Sequence, residues 1–410
     1  MLRLRDVLSR WEARELSQLE AAELLGVSER TFRRWARRFE EEGEAGLVDR
    51  RLGKPSPRRV PAAEAARVGE LYRTRYAGFT AKHFHERLVG VHGFAWGYTW
   101  TKTFLHSQGL LAAAPRRGAH RRKRPRRPMV GMMLHQDGSR HEWLAGQPAL
   151  DLIVTLDDAT GAIYSAFLVA EEGTHSTLRA LTEVIARHGL PCSLYTDRGS
   201  HYFVTPKAGE KPDPRARTQV GRALAQLGIE HIPAFSPEAR GRSERAFRTL
   251  QDRLPKELAL AGITTVAAAD CYLREVFVPA YNARFAVPPE QPGSAFVPIG
   301  DLDLDQVLCI EEPRQVGNDN TVIWRRRRLQ IPSSPLRRHF VKARVKVRQH
   351  LDGTISIFHG PRCIARYGPD EREIASAASL RSAAGPVDLW TTLRVPHNPT
   401  GPTSTTEADI

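Results

Sequence analysis

Between Pro115 and Pro128 the chain carries Arg116, Arg117, Arg121, Arg122, Lys123, Arg124, Arg126 and Arg127, with Ala119 as the only aliphatic residue among them. No hydrophobic core can be built from such a stretch, because crowding like charges out of water costs far more than so few carbon atoms return. Residues 114–128 therefore read as a basic linker, and the segments on either side must each find a core of their own. A length of 410 residues asks for more than one core in any case. The two sides are also patterned differently. Upstream, apolar residues recur at helical intervals; from Met129 onward the period becomes that of strands.

The upstream part begins with a capping-box spacing, Ser17 and Glu20, followed by Leu19, Ala22, Leu24 and Leu25. Gly26-Val27 makes a turn, and Ser28 caps a second helix expected to run to about Glu41. Phe32, Trp35, Ala36 and Phe39 form its apolar stripe, while Arg30, Arg33, Arg34, Arg37 and Arg38 occupy the remaining surface. A short helix, a tight glycine turn and an arginine-bearing second helix make a helix-turn-helix pattern, expected over residues 1–54. The same pattern also describes an amphipathic hairpin with a solvated basic face; the basicity of the whole chain favours DNA binding. A weaker copy spans 55–113, after a proline-rich joint at Pro55 to Pro61. Thr80 caps a helix through Leu88, and Tyr98 to His106 forms another, ended by Gly109. There Trp100, Phe104 and Leu105 are expected inside, with Thr99, Thr101 and Lys102 facing out. A structural hairpin and a second DNA-binding module fit this copy about equally well. His83 and His85, one residue apart on a helix, point away from each other and do not suggest a metal site.

The formal net charge is +15 and the sequence pI about 10.1. A field of that sign needs a polyanionic partner, nucleic acid or an anionic membrane. No apolar run approaches the ~20 residues that span a bilayer, and Met1 to Trp11 lacks the apolar centre of a signal peptide. Double-stranded DNA is the expected partner, and the expected location is the cytoplasm, with the nucleoid. Cys192, Cys271, Cys309 and Cys363 lie far apart without a CxxC pair, which argues against zinc fingers and disulfides and for buried or neutral thiols.

Downstream, Met129 to Asp137 is an apolar run ending in an acid. Leu152 to Leu156 and Ile163 to Val169 are strands joined by an Asp157-Asp158-Ala159-Thr160-Gly161 turn, in which the aspartates suit turn chemistry. A helix from Thr174 to His188, a short strand from Ser193 to Thr196, a helix near Thr218 to Leu227, a strand from Ile229 to Ala234 and a helix from about Gly241 follow. Trp143 reads as a core aromatic. A three-strand meander followed by alternating helices and strands is a mixed-sheet α/β plan over residues 129–298. Alternating segments from 299 to 368, with an Asp352-Gly353 turn, suggest a small β-barrel. The Ala-, Ser-, Pro- and Thr-rich remainder, 369–410, is expected to be disordered.

Three acids stand where this plan delivers side chains to one end of the sheet. Asp137 closes the first strand, Asp197 closes the fourth, and Glu244 sits on the last helix, where Phe247, Leu250 and Leu254 mark the buried stripe. Glu244, Arg248 and Gln251 share a different face. Converging carboxylates repel unless a cation lies between them. Oxygen ligands without a His/Cys set favour Mg²⁺ or Mn²⁺. Two such ions suit the cleavage of a phosphodiester. His135, His141 and His201, beside the first two acids, read as packing or DNA contacts.

Asp137-Gly138-Ser139, Thr196-Asp197-Arg198-Gly199-Ser200 and the Gly241-Arg242-Ser243-Glu244-Arg245 segment through Leu250 resemble the three motifs of integrase-core DDE transposases, relatives of retroviral integrases. The nearest likeness is to bacterial insertion-sequence transposases of the ISNCY type, over residues 15 to 368. The resemblance implies an RNase H-like core, a metal-binding catalytic triad of Asp137, Asp197 and Glu244, recognition of terminal repeats, strand transfer, and a homo-oligomer assembled on DNA. Arg30, Arg33, Arg34, Arg37, Thr99, Thr101, Lys102, Arg121, Arg122, Lys123 and Arg124 are the candidate DNA contacts. Two departures stand out: an apparent insertion from Tyr202 to Arg217, and Arg240-Gly241 where the family commonly has Asn-Gly. A DNA-binding regulator with an inactive core, or a nuclease without strand transfer, would share most of these features.

Overall fold

Residues 2–48, 59–112, 124–204, 216–235, 240–333, 337–370 and 372 are described by a computed structural model of the chain. Arg121, Arg122 and Lys123, most of the apparent insertion (205–215) and the tail from 373 lie outside the described residues. The chain divides into two compact units, Met1–Ala113 and Ala114–Ile410. No helix among the described residues is long and apolar enough to cross a membrane.

In the first unit, α1 (Leu2–Glu12), α2 (Gln18–Leu25) and α3 (Glu29–Glu42) close around Val7, Leu8, Ala21, Ala22, Phe32 and Ala36. The predicted caps are present. Ser17 and Glu20 form a reciprocal capping box, Gly26 turns through the left-handed region at φ 65°, and the Ser28 hydroxyl accepts from the Thr31 N–H. On α2 burial falls on Ala21 and Ala22, whereas Leu19 is 61% exposed. A short α4 (Glu44–Leu47) follows. The second helical group is α5 (Ala62–Thr74), α6 (Ala81–His92) and α7 (Tyr98–Ser107). The sequence reading passes over α5, although its Tyr72 packs edge-on against Phe84 of α6. On α7 one expectation is overturned: Thr101 is fully buried, and its hydroxyl meets His85 Nδ1 at 3.0 Å. Thr101 lies one turn from buried Leu105, so the two share the inward face. Thr99 and Lys102 are exposed as expected.

The second unit is built on a five-stranded mixed sheet in the order β3-β2-β1-β4-β5. Its strands are β1 (Leu134–His141), β2 (Leu150–Asp157), β3 (Ile163–Val169), β4 (Ser193–Thr196) and β5 (Glu230–Pro233). The meander β1-β2-β3 is antiparallel, and β1-β4-β5 is parallel. On one face α8 (Thr174–His188) and α9 (Gln219–Gln226) pack against Leu134 and Leu194. On the other, α10 (Gly241–Leu260), α11 (Val266–Tyr272), a π-helical turn and α12 (Val278–Phe285) cover Leu152, Val154 and Leu156. Both faces of β2 are covered, which is why its residues are almost all buried. Trp143 is fully buried, as expected, and donates to the carbonyls of Ser139 and Leu150.

After a short α13 (Leu304–Val307), β6 (Ile310–Gln315), β9 (Arg344–Gln349), β10 (Ile355–His359) and β11 (Arg362–Tyr367) form a four-stranded sheet, and β7 (Thr321–Trp324) pairs with β8 (Arg327–Gln330). Sheet and hairpin share a core that includes Trp324, Leu329, Val347, Ile357 and Tyr367. Among the described residues the hydrogen bonding does not close this region into a barrel.

Candidate active site

Strand alternation decides which face each residue of β1 presents. Leu134 packs with α8 and α9, and Gln136 on the same face donates to the Thr177 carbonyl of α8 at 3.4 Å. His135, Asp137 and Ser139 are therefore delivered to the opposite face, toward α10. Each is engaged there. Ser139 Oγ accepts from Gln251 of α10 at 2.9 Å. His135 reaches α10 through Asp158, which also receives Arg242 Nη1 at 2.5 Å. Asp137 meets Arg240, the residue that opens the helix.

Asp137 does not close its strand, contrary to the sequence expectation. The antiparallel pairing with β2 continues to His141, whereas β4 is short and pairs in parallel only with Leu134 and His135. Continuing that parallel register two residues further brings Asp197, just past β4, beside Asp137 in the middle of β1. The two aspartates, far apart in sequence, share one guanidinium: Arg240 Nη2 donates to Asp137 Oδ1, and Nη1 lies 3.5 Å from Asp197 Oδ2. Asp197 Oδ1 also accepts from the Gly199 N–H at 2.8 Å, so the Asp-Arg-Gly turn fixes its carboxylate. Asp137 is nearly buried, and that burial raises its pKa to about 6; Arg240 opposes the rise and the nearby Glu172 charge adds to it.

Glu244 lies in the first turn of α10 and is exposed, while Phe247, Leu250 and Leu254 form the buried stripe. Glu244, Arg248 and Gln251 line a cleft of ≈ 580 Å³ together with Asp137, Asp197, Arg198, Phe235 and Arg240. The helix face assigned from periodicity thus opens onto the two aspartates. The three carboxylates border one cleft, but they are not drawn together: among the described residues no three acidic, histidine or cysteine side chains form a ready metal cluster. The donor set nevertheless suits a hard cation. Two carboxylates, one of them nearly buried, already converge on a positive group, and a third faces the same space.

The hairpin aspartates divide in role. Asp157 does the expected turn chemistry, accepting from the Thr160 N–H and hydroxyl at 2.8 Å each, and also from the Gly131 N–H. Asp158 instead becomes a fully buried hub for Arg124, Arg242, His135 and the Arg127 N–H. Arg124, expected to reach DNA from a free linker, therefore pairs with the core. Burial pushes the Asp158 pKa up, but these donors and charges outweigh it and hold it at about 2. His135 is pushed below its ordinary value by burial, and its contact is with Asp158. Asp158, Arg240, Arg242 and Glu172 were not singled out as site residues by sequence reasoning. For Arg240 a signal existed in its departure from the family's Asn-Gly. Arg30, Arg33, Arg34 and Arg37 are exposed on α3. All four cysteines are free; Cys309 is buried and Cys192 is exposed.

The sheet order β3-β2-β1-β4-β5, an antiparallel meander continued by two parallel strands, is that of an RNase H-like core. A family described as a winged helix-turn helix matches residues 11–66. A Sinorhizobium fredii protein named as a transposase, y4bF, is 31% identical over 356 residues, covering 86% of this chain and 77% of that one. The transposase for insertion sequence IS1202 of Streptococcus pneumoniae is 33% identical over 162 residues, 40% of this chain and 34% of the relative. The chain belongs to this transposase family. Among solved structures, a simian T-cell lymphotropic virus intasome bound to a PP2A regulatory subunit matches at 14% identity and a TM-score of 0.31, over 68% of this chain and 91% of that one. The HTLV-2 integrase catalytic core in complex with magnesium matches at 18% and 0.27, over 36% and 89%.

Proposed function

We propose that this transposase binds the ends of its element and catalyses phosphodiester cleavage and DNA strand transfer in the cleft between β1, β4 and α10. The observation that carries this reading is the convergence of Asp137 and Asp197 on one cationic group in a cleft that Glu244 also lines. Asp137, Asp197 and Glu244 would hold Mg²⁺ or Mn²⁺, as two ions. When bound, the metal supplies charge stabilisation for in-line displacement at phosphorus. Water first attacks the phosphodiester at the element end and a 3′-hydroxyl leaves; that hydroxyl then attacks a phosphodiester of target DNA, forming a new bond to its phosphorus as the target strand's own 3′-oxygen leaves as a hydroxyl. The chain's own part is to position. Gln251 holds Ser139, two residues along β1 from Asp137, the Gly199 N–H fixes Asp197, and exposed Arg198 and Arg248 face the phosphates of DNA laid in the cleft.

Recognition falls to Arg30, Arg33, Arg34 and Arg37 on α3, with Thr99 and Lys102 of α7 as further contacts and Arg121, Arg122 and Lys123 on backbone phosphates. Joining two ends calls for a homo-oligomer on double-stranded DNA. The test is the full chain with Mg²⁺ and labelled DNA carrying the element ends. Cut and joined products are expected from the wild type. Asp137→Asn, Asp197→Asn and Glu244→Gln should lose both by orders of magnitude while still binding DNA. The position of Arg240 gives a second reading some support: a core that binds DNA but no longer reacts. Under it, the wild type would bind element ends and yield no Mg²⁺-dependent product; cutting without joining would mark a nuclease.

A further inference from the structure

Arg240 stands where a cation is needed. Its guanidinium spans Asp137 and Asp197, one nitrogen on each, and its side chain is about one-quarter exposed. Two carboxylates facing one guanidinium repel each other in a partly desolvated site, and a planar cation with several donors can satisfy both at once. Arg240 is also placed to give way. It is the residue that precedes α10, and the first helical residue after it is Gly241. The neighbouring anchors of the helix do not depend on it, because Arg242 is held separately by Asp158 and by the carbonyls of Arg124 and Pro125. The helix and Glu244 can therefore stay in place while the Arg240 side chain moves.

We infer that Arg240 is a built-in counter-cation of the Asp137–Asp197 pair, which a divalent ion must displace to load the site. The inference rests on the metal-dependent reading above. Metal and guanidinium compete for the same oxygens, so the chain trades intrinsic metal affinity for a site that is neutralised before loading. The same exchange accounts for the open arrangement of the triad. With the Arg240 guanidinium turned to the two aspartates, Glu244 stays exposed at the edge of the cleft; a metal in place of that guanidinium would give Glu244 an ion to ligate across it.

The test is Mn²⁺ binding to the full-length protein without DNA, followed by the loss of the free-ion electron paramagnetic resonance signal. Wild type is compared with Arg240→Ala, Arg240→Gln and Asp137→Asn. Arg240→Gln keeps much of the side chain's length and polarity, so it carries the test if the alanine variant fails to fold. Removing the competing charge should tighten binding at the Asp137-dependent site by about tenfold or more, the scale on which one charge-assisted pair is lost. Asp137→Asn should abolish that site. Equal or weaker binding by both Arg240 variants, at a site that Asp137→Asn still removes, would overturn the counter-cation role and leave the metal-dependent reading standing. If neither wild type nor the Arg240 variants bind Mn²⁺ in an Asp137-dependent way, both the inference and that reading fail.

Discussion

Asp158 and Asp157 are chemically identical neighbours, and the difference between them comes from what each side chain can reach. Asp157 finds the N–H groups of its own turn. Asp158 points to the face of β1 that carries His135 and to the first turn of α10 that carries Arg242, so it becomes a buried anion surrounded by donors. A buried carboxylate is stabilising only while such partners are intact. Asp158→Ala should therefore cost about 3 kcal/mol in denaturant unfolding, at the lower end for a broken buried pair because Arg124 and Arg242 can turn toward water. Acid should reveal the same group. Its folded pKa, about 2, lies below the ordinary carboxylate value of 3.8. Its contribution is thus complete above about pH 4 and lost as the pH falls toward about 2. The decline in stability below pH 4 should be shallower in the variant, and an unchanged slope would remove Asp158 from the acid response.

At the scale of elements, what was legible in the sequence was whatever is written locally. Ser17, Glu20 and Ser28 announce α2 and α3 because caps act within one turn. The stripe Phe247, Leu250 and Leu254 fixes the buried face of α10 and, by subtraction, the face that bears Glu244. Tertiary partners were not legible. Thr101 looks like a surface residue until His85 is found opposite it, and the end of β1 cannot be read from Asp137 because it depends on the length of β2. α5 was missed because its alanines carry little amphipathic contrast. The arginines of α3 belong to the legible class, and they allow a prediction about recognition. Arg33→Ala or Arg34→Ala should weaken binding to the element end more than to random duplex, because base contacts specify while phosphate contacts position. Competition binding against unrelated DNA measures the difference. Equal losses on both DNAs would assign these arginines to the backbone.

At the scale of the whole molecule the excess positive charge is the dominant feature, and the structure changes how its linker part should be assigned. Arg124, Arg126 and the Arg127 backbone are bound to Asp158 or its neighbouring carbonyls, so the C-terminal end of the basic stretch belongs to the folded core. The preceding cations and the exposed Arg127 side chain remain candidates for tracking a phosphate backbone. These two roles predict different behaviour in salt. Neutralising a phosphate releases condensed counterions, and each contact adds roughly −0.9 to the slope of log K against log salt on duplex DNA. Replacing Arg121, Arg122 and Lys123 together with alanine should flatten the slope by up to about 2.7 if all three touch phosphates, with little change in the preference for element ends. Arg124→Ala should leave the slope nearly unchanged and instead lower the unfolding midpoint, because its partner is the buried Asp158 carboxylate. A salt titration of both variants, alongside thermal melts, separates the two roles. A slope change in Arg124→Ala as large as one full phosphate contact would mean that this arginine leaves Asp158 when DNA arrives.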